Sequence, residues 1–310
     1  MKSETRKLSY KLANALIILC MVALMVIMIY PLLYTVFASF SDAKGLLTHS
    51  GMLWRPIPEY NEDGSIASYI NLGGYKKVFA DARLMRAFGN TIFYVIAGTA
   101  ISLTLTIMGA FVVSRNYFMG RNVLMKLMLF TMYFSGGLIP TYLVVKNLGL
   151  LNTYWAILLP GCLSTYNLII MRSFFKSIPP SLEESAMIDG ANDYHVLRHI
   201  VLPLSKPCIA VVGMYYAVGI WNGWYQAMLY LPKAPEKQPL QLLLRSILIL
   251  NQNTQGGSGM SAAEMLVSTA LDRELIKYCV VMVATVPILI VYPFLQKYFV
   301  KGVLIGAVKG

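Results

Sequence analysis

Apolar positions in this chain come in runs too long for a soluble core and too even for a one-faced surface helix. Six runs, at residues 13–40, 87–114, 123–145, 153–175, 204–231 and 277–300, each meet the roughly 20 predominantly apolar residues that a helix needs to cross about 30 Å of hydrocarbon. None of them contains Asp or Glu, which argues against an ion or proton path built on buried carboxylates. The first run is too long for a signal-peptide core and no small-residue cleavage site follows it, so a retained anchor is expected. The third carries Ser135-Gly136-Gly137 and Pro140. Such residues bend a helix beside a path or let neighbouring helices approach closely, and both readings stand.

Polar stretches separate the runs. Residues 1–12 form a basic tail. Residues 41–86 hold turn chemistry (Asn61-Glu62-Asp63-Gly64, Gly73-Gly74) and Trp54, which predicts a small folded excursion, and residues 232–275 hold a Gly- and Asn-rich tip between two shorter helical patterns. No internal repeat and no separate soluble domain is evident, so residues 13–310 read as one membrane domain.

Composition agrees. Of 310 residues 57% are hydrophobic and 13% charged, against about 25% charged in a soluble chain, and the mean hydropathy is +0.61. The net charge of +12 is a matter of topology rather than nucleic-acid binding. The dense clusters Lys2/Arg6/Lys7/Lys11, Arg115/Arg121/Lys126 and Arg172/Lys176 all fall on one side if the N-terminus is inside, as the positive-inside bias requires. Six spans with both termini inside follow. The cysteines Cys20, Cys162, Cys208 and Cys279 lie in or beside apolar runs, where Cys acts as a small hydrophobe. His195 and His199, four apart, have no third ligand nearby, so no metal site is expected.

One polar island interrupts this pattern, residues 182–207, LEESAMIDGANDYHVLRHIVLPLSKP. Pro179-Pro180 stops the preceding helix. Ser181 with Glu184 three residues on predicts a capping box, Glu183 and Glu184 complement a positive helix start, and Gly190 after Asp189 predicts a left-handed C-cap. Asn192 or Asp193 can cap a second short helix to about His199, and Pro203 and Pro207 return the chain to the membrane. An amphipathic helix in the headgroup layer would be basic on its polar face, whereas this first helix is acidic. A solvated connector is the other bland reading.

Read in order, Glu184-Ser185-Ala186, Asp189-Gly190-Ala191, Ile200, Leu202-Pro203 and Pro207 resemble the EAA loop of ABC-importer permeases, with Ser185 where that motif commonly has Ala. Phe134 to Tyr142, Leu148-Gly149-Leu150, Trp155-Ala156, Leu159-Pro160 and the ending Tyr298 to Gly310 look like the carbohydrate type. These are maltose-transporter-like inner-membrane components, and the chain is most similar to the oligosaccharide branch of rhamnogalacturonan and alginate importers. The resemblance covers about residues 87–310. It implies an all-α membrane protein with six transmembrane helices, a type I ABC-importer permease fold with cytoplasmic coupling helices, in the bacterial inner membrane. It also implies a second, different permease, two ATPase subunits and an extracytoplasmic solute-binding protein. The chain has no G-x-x-x-x-G-K-[ST], so ATP and Mg belong to the partner ATPase and this subunit is non-catalytic with no cofactor of its own. By the resemblance, Glu183, Glu184, Ala186, Asp189 and Gly190 contact or shape the ATPase docking surface, Pro203 closes the coupling loop, the tail from Lys301 reaches between the ATPase subunits, and the outer loops meet the binding protein.

For the cargo path, the fifth run offers Tyr215, Asn222 and Gln226, which share a helix face at the 3.6-residue period, and the fourth offers Tyr166 and Asn167. Polar positions in a span usually face the bundle interior; interhelical hydrogen bonding is the competing explanation for each. Trp221 and Trp224 read as an interfacial belt or as a sugar platform. The cargo expected is a sugar, in particular an oligosaccharide. The alternatives are an ABC permease for a non-sugar solute and an autonomous secondary carrier. A membrane enzyme has no support, since no nucleophile triad, paired intramembrane carboxylates or metal motif is present.

Overall fold

A computed structural model of the chain describes residues 2–61, 63–250 and 274–293. They divide into two compact units, the described residues up to Asp81 with 247–250 and 274–283, and residues 82–246 with 284–293.

The first unit is built on α1 (Lys2–Ser39), one continuous helix that takes in the expected basic tail and first span. Pro31 is accommodated within it, and the Thr35 hydroxyl donates to the Pro31 carbonyl at 2.8 Å. The excursion that follows is folded. Helix α2 (Ala43–Thr48) starts where the Asp42 carboxylate accepts from the Gly45 N–H at 3.0 Å, an ordinary N-cap. Strands β1 (Glu59–Tyr60) and β2 (Ile66–Ser68) pair antiparallel, and α3 (Gly73–Ala80) follows. Ala38, Leu46 and Leu53 form a small core with Tyr34, Phe37, Ile57 and Tyr278, while the Tyr75 hydroxyl donates to Ser39 at 2.8 Å.

The second unit is organised on α4 (Ala82–Ser114), long and apolar enough to span. Among the described residues two other helices share that property, the stretch Ala13–Ser39 of α1 and α15 (Glu274–Pro293). The remaining expected spans are broken rather than straight. The third becomes α5 (Arg121–Tyr133) and α6 (Leu138–Asn147), set at 115°. The cause lies in the predicted Ser135–Pro140 stretch. Gly137 sits at φ +87°, where only a residue without Cβ is comfortable, and its N–H donates to the Ser135 hydroxyl at 3.1 Å. The fourth expected span splits into α7 (Trp155–Leu158) and α8 (Thr165–Lys176), and the fifth into α12 (Lys206–Trp221) and α13 (Tyr225–Tyr230) around Gly223. Residues 294–300 of the sixth expected span and the tail from Lys301 lie outside the described residues, as do residues 251–273 of the second outer loop.

Between α8 and α12 the polar island forms α9 (Pro180–Ile188), α10 (Asp193–Val196), a π-turn (Leu197–Val201) and α11 (Leu202–Leu204). The stretch Asp193–Leu204 meets α12 at 83° across Ser205, with Pro203 and Pro207 flanking the bend, and proline is a usual cause of a sharp kink. One core joins these pieces. Ala110, Phe111 and Val113 of α4, Leu168, Met171 and Phe175 of α8, Val196, Val201, and Cys208, Val212 and Tyr216 of α12 pack as a single cluster. Helix α14 (Leu240–Leu250) continues from a 3-10 turn at Pro235–Lys237.

Candidate functional site

Two places in the second unit concentrate polar chemistry. The first is the island. Its opening helix does not use the predicted capping box: Pro180 takes the first helical position, Pro179 is the N-cap, and no side chain caps there. Proline is at home at that position because its missing N–H is one of the unpaired donors anyway, so the helix begins before Ser181 and the Ser181 side chain never reaches the cap. The other end follows the sequence closely. Gly190 adopts φ +87°, its N–H donates to the Met187 carbonyl at 3.1 Å, and the Ala191 N–H donates to the Ala186 carbonyl at 2.9 Å. This is the paired closure of a Schellman motif. Asn192 caps α10, accepting from the His195 N–H at 2.9 Å.

The two adjacent glutamates point to different environments. Glu184 is exposed, as are Asp189, Gly190 and Pro203. Leu182, Met187 and an Ile188 that is 86% exposed are open as well, so α9 and its C-terminal end present both acidic and apolar side chains. Glu183 is buried at 9% exposure and accepts from the Nη1 of Arg115, itself 8% exposed. Ala186 is half-buried and packs on the common core. A further tie holds the segment to the bundle, since the Tyr117 hydroxyl donates to Asp193 at 2.7 Å; beside it α8 is fastened to α4, where Arg172 Nε donates to the Val113 carbonyl at 3.0 Å. Burial first, and then the hydrogen bond to Asp193, push the Tyr117 phenol up to about 12, so it stays protonated and remains a donor.

The second place is a cavity of about 320 Å³ where three stretches of chain meet: the middle of α4, the break between α7 and α8, and the break between α12 and α13. Its polar lining includes Tyr94 and Ser102 from α4, Cys162 and Ser164 from the first break with Asn167 of α8, and Tyr215 and Tyr216 of α12 with Gln226 of α13. No charged side chain is among its lining within the described residues. The Tyr216 hydroxyl braces the wall, sharing a 2.7 Å hydrogen bond with Thr106 and accepting from the Ser164 N–H at 3.0 Å. A helix break within a membrane leaves backbone groups unpaired, and it is tolerated where protein or a cavity re-satisfies them.

Of the residues read as path candidates, Asn167, Tyr215 and Gln226 therefore come together, whereas Tyr166 and Asn222 are exposed elsewhere. The single helix face drawn through Tyr215, Asn222 and Gln226 does not exist, because α12 ends at Trp221 and Gln226 lies on the next helix. Trp221 is not at a lipid-facing belt: it is buried, donates through Nε1 to the Ala284 carbonyl at 3.2 Å and meets Phe88 edge-on. Trp224 is half-buried beneath the Arg245 guanidinium, 4.4 Å from the ring centre.

Residues 106–304 match the family described as binding-protein-dependent transport system inner membrane component. The chain belongs to this family. As an importer permease it is 42% identical to protein LplC of Bacillus subtilis (strain 168) over 92% of this chain and 90% of that one. It is 40% identical to the polygalacturonan/rhamnogalacturonan transport system permease protein YtcP of the same organism, over 92% and 93% of the two chains. A solved bacterial ABC transporter involved in the import of the acidic polysaccharide alginate superposes with a TM-score of 0.81 at 30% identity, covering 94% of this chain and 98% of that one.

Sequence reading of this permease counted Arg115 only among the basic clusters and missed its pairing with Glu183, 68 positions away. It also missed Ser102, Cys162, Ser164 and Tyr216 as cavity walls. The signal that could have found them is the coincidence of breakers, Pro160-Gly161 and Gly223, within two expected spans.

Proposed function

We propose that this permease moves an oligosaccharide into the cytoplasm by alternating access, as one of two permease chains in an ATP-driven importer. The observation that carries the cargo class is the cavity: hydroxyl, carboxamide and aromatic groups converge on it and no charged side chain lines it among the described residues, which suits a polyhydroxylated ligand held by hydrogen bonds and ring faces. The cargo named for YtcP and for the alginate transporter supports the same class. The exposed face of α9, with Glu184, Asp189, Met187 and Ile188, is the docking surface for an ATPase subunit that carries ATP and Mg. Both termini and α9–α11 lie on the cytoplasmic side of the inner membrane, in keeping with the basic clusters. Residues 41–86 and 232–275 are, on this reading, the outer loops that meet a solute-binding protein.

The experiment is purification of the tagged chain from its native membrane, identification of the retained proteins, and ATP hydrolysis with and without oligosaccharide and binding protein. Retention of a second permease and a P-loop ATPase, with sugar-stimulated hydrolysis, is expected. A chain that purifies alone and transports in vesicles without ATP would contradict the proposal and indicate an autonomous carrier.

A further inference from the structure

Helix α4 is one rod of 33 residues, roughly 50 Å long at 1.5 Å per residue. Near its start it is tied to the 236–240 stretch. Asn90 Nδ2 donates to the carbonyls of Glu236 and Gln238 at 2.8 and 3.1 Å, the Tyr94 hydroxyl donates to the Lys237 carbonyl at 2.8 Å, and the Leu240 N–H donates to the Thr91 hydroxyl at 2.8 Å. Its middle lines the cavity with Tyr94, Gly98 and Ser102. It also lies so close to α12 that a Cβ on Gly98 would sit 2.8 Å from Ile220 Cδ1. Its far end runs into Arg115, which grips Glu183 of α9.

That grip is an odd way to obtain stability. The Arg115 guanidinium lies 4.3 Å over the Phe111 ring, and its Nε and Nη2 are buried with no hydrogen-bond partner among the described residues. Unpaired buried donors are costly, and well-packed apolar residues often serve as well as a buried ion pair or better. What the pair does provide is resistance to separation, because parting it leaves two buried charges uncompensated. A displacement of α9 is then passed to α4 instead of being absorbed at the junction.

We propose that Arg115 is a positioning residue for transport: through its ion pair with Glu183 it makes α4 move with α9, so that displacement of the docking segment reaches the cavity wall. This rests on the reading of α9 as the ATPase-coupled segment.

The test uses the assembled transporter in proteoliposomes, with sugar uptake and ATP hydrolysis recorded together for wild type, Glu183→Gln, Arg115→Gln, Arg115→Lys, the exchanged pair R115E/E183R, and Glu184→Arg. The readout is sugar moved per ATP, since a merely structural role lowers the yield of complex and both rates in step. Glu183→Gln and Arg115→Gln should lower that ratio about tenfold, equivalent to ~1.4 kcal/mol. Arg115→Lys, which keeps the charge without the planar fork, should lower it less, and the exchanged pair should recover part of the loss. An unchanged ratio in both Gln variants would overturn the proposal, and Arg115→Lys decides in the same way if the exchanged pair does not assemble. If Glu184→Arg transports normally, the docking role of α9 fails and takes the proposal with it. If Glu184→Arg is inactive while both Gln variants keep the wild-type ratio, only the Arg115 proposal falls.

Discussion

The α9–α11 segment and the cavity share the helices α4, α8 and α12, yet one presents its chemistry outward while the other encloses it. The segment is assembled from local rules acting within about ten residues: a proline start, a left-handed glycine at φ +87°, an Asn192 cap and a π-turn before Pro203. The cavity is assembled from failures of those rules, where Pro160-Gly161 and Gly223 interrupt helices that would otherwise pack face to face. An element that turns its side chains outward must hold its own shape through local bonds. A passage, in contrast, needs places where helix packing is incomplete. Of these three helices, α4 leads by way of Arg115 to Glu183 at one end and lines the cavity in its middle.

The sharpest break in this comparison comes from the two adjacent glutamates. Glu184→Arg places a reversed charge on the exposed face of α9, and loss of a charge contact at an interface costs about 2 kcal/mol or more. Uptake should fall by well over tenfold while the chain still inserts and folds, as uptake and membrane-fraction immunoblotting of the same cells would reveal.

Tyr216→Phe attacks the cavity wall instead. It removes the hydroxyl shared with Thr106 and leaves the Ser164 N–H without its acceptor. The expected cost is about 1–3 kcal/mol, seen as a lowered unfolding temperature of the purified complex with ATPase binding intact.

Gly190→Ala tests whether the joint after α9 needs its left-handed backbone. The strain is about 1–2 kcal/mol, and binding of the ATPase subunit, measured by titration, should weaken by about tenfold. The smallest effect separates neighbouring residues. Gln226→Ala should raise the sugar concentration for half-maximal uptake a few-fold, the worth of about one hydrogen bond, whereas Asn222→Ala, which does not line the cavity, should leave it unchanged.

Much of the α9–α11 segment was legible because its determinants are sequential: the Gly190 closure and the Asn192 cap each depend on partners within five residues. The misplaced cap at Ser181 shows the limit, since two signals competed and Pro180 at the first helical position prevailed. The bend at Gly137 was also legible. The cavity was half legible. Polar residues within apolar runs marked Asn167, Tyr215 and Gln226, but the 3.6-residue period was carried through Gly223, where the helix stops, so Asn222 was grouped with them. The Arg115–Glu183 pair and the burial of Trp221 against Phe88 and the Ala284 carbonyl depend on segments far apart in the chain, which no local period encodes.

The most direct test of the account is the accessibility of Cys162, the cysteine that lines the cavity, in a chain where Cys20, Cys208 and Cys279 are replaced by serine. The rate at which a polar thiol reagent modifies Cys162 would be measured in the assembled transporter with and without ATP and oligosaccharide. Oligosaccharide should slow the reaction, ATP should change its rate, and Glu184→Arg should abolish the ATP effect while leaving protection by sugar. A Cys162 rate indifferent to sugar, or an ATP effect that survives Glu184→Arg undiminished, would contradict the account.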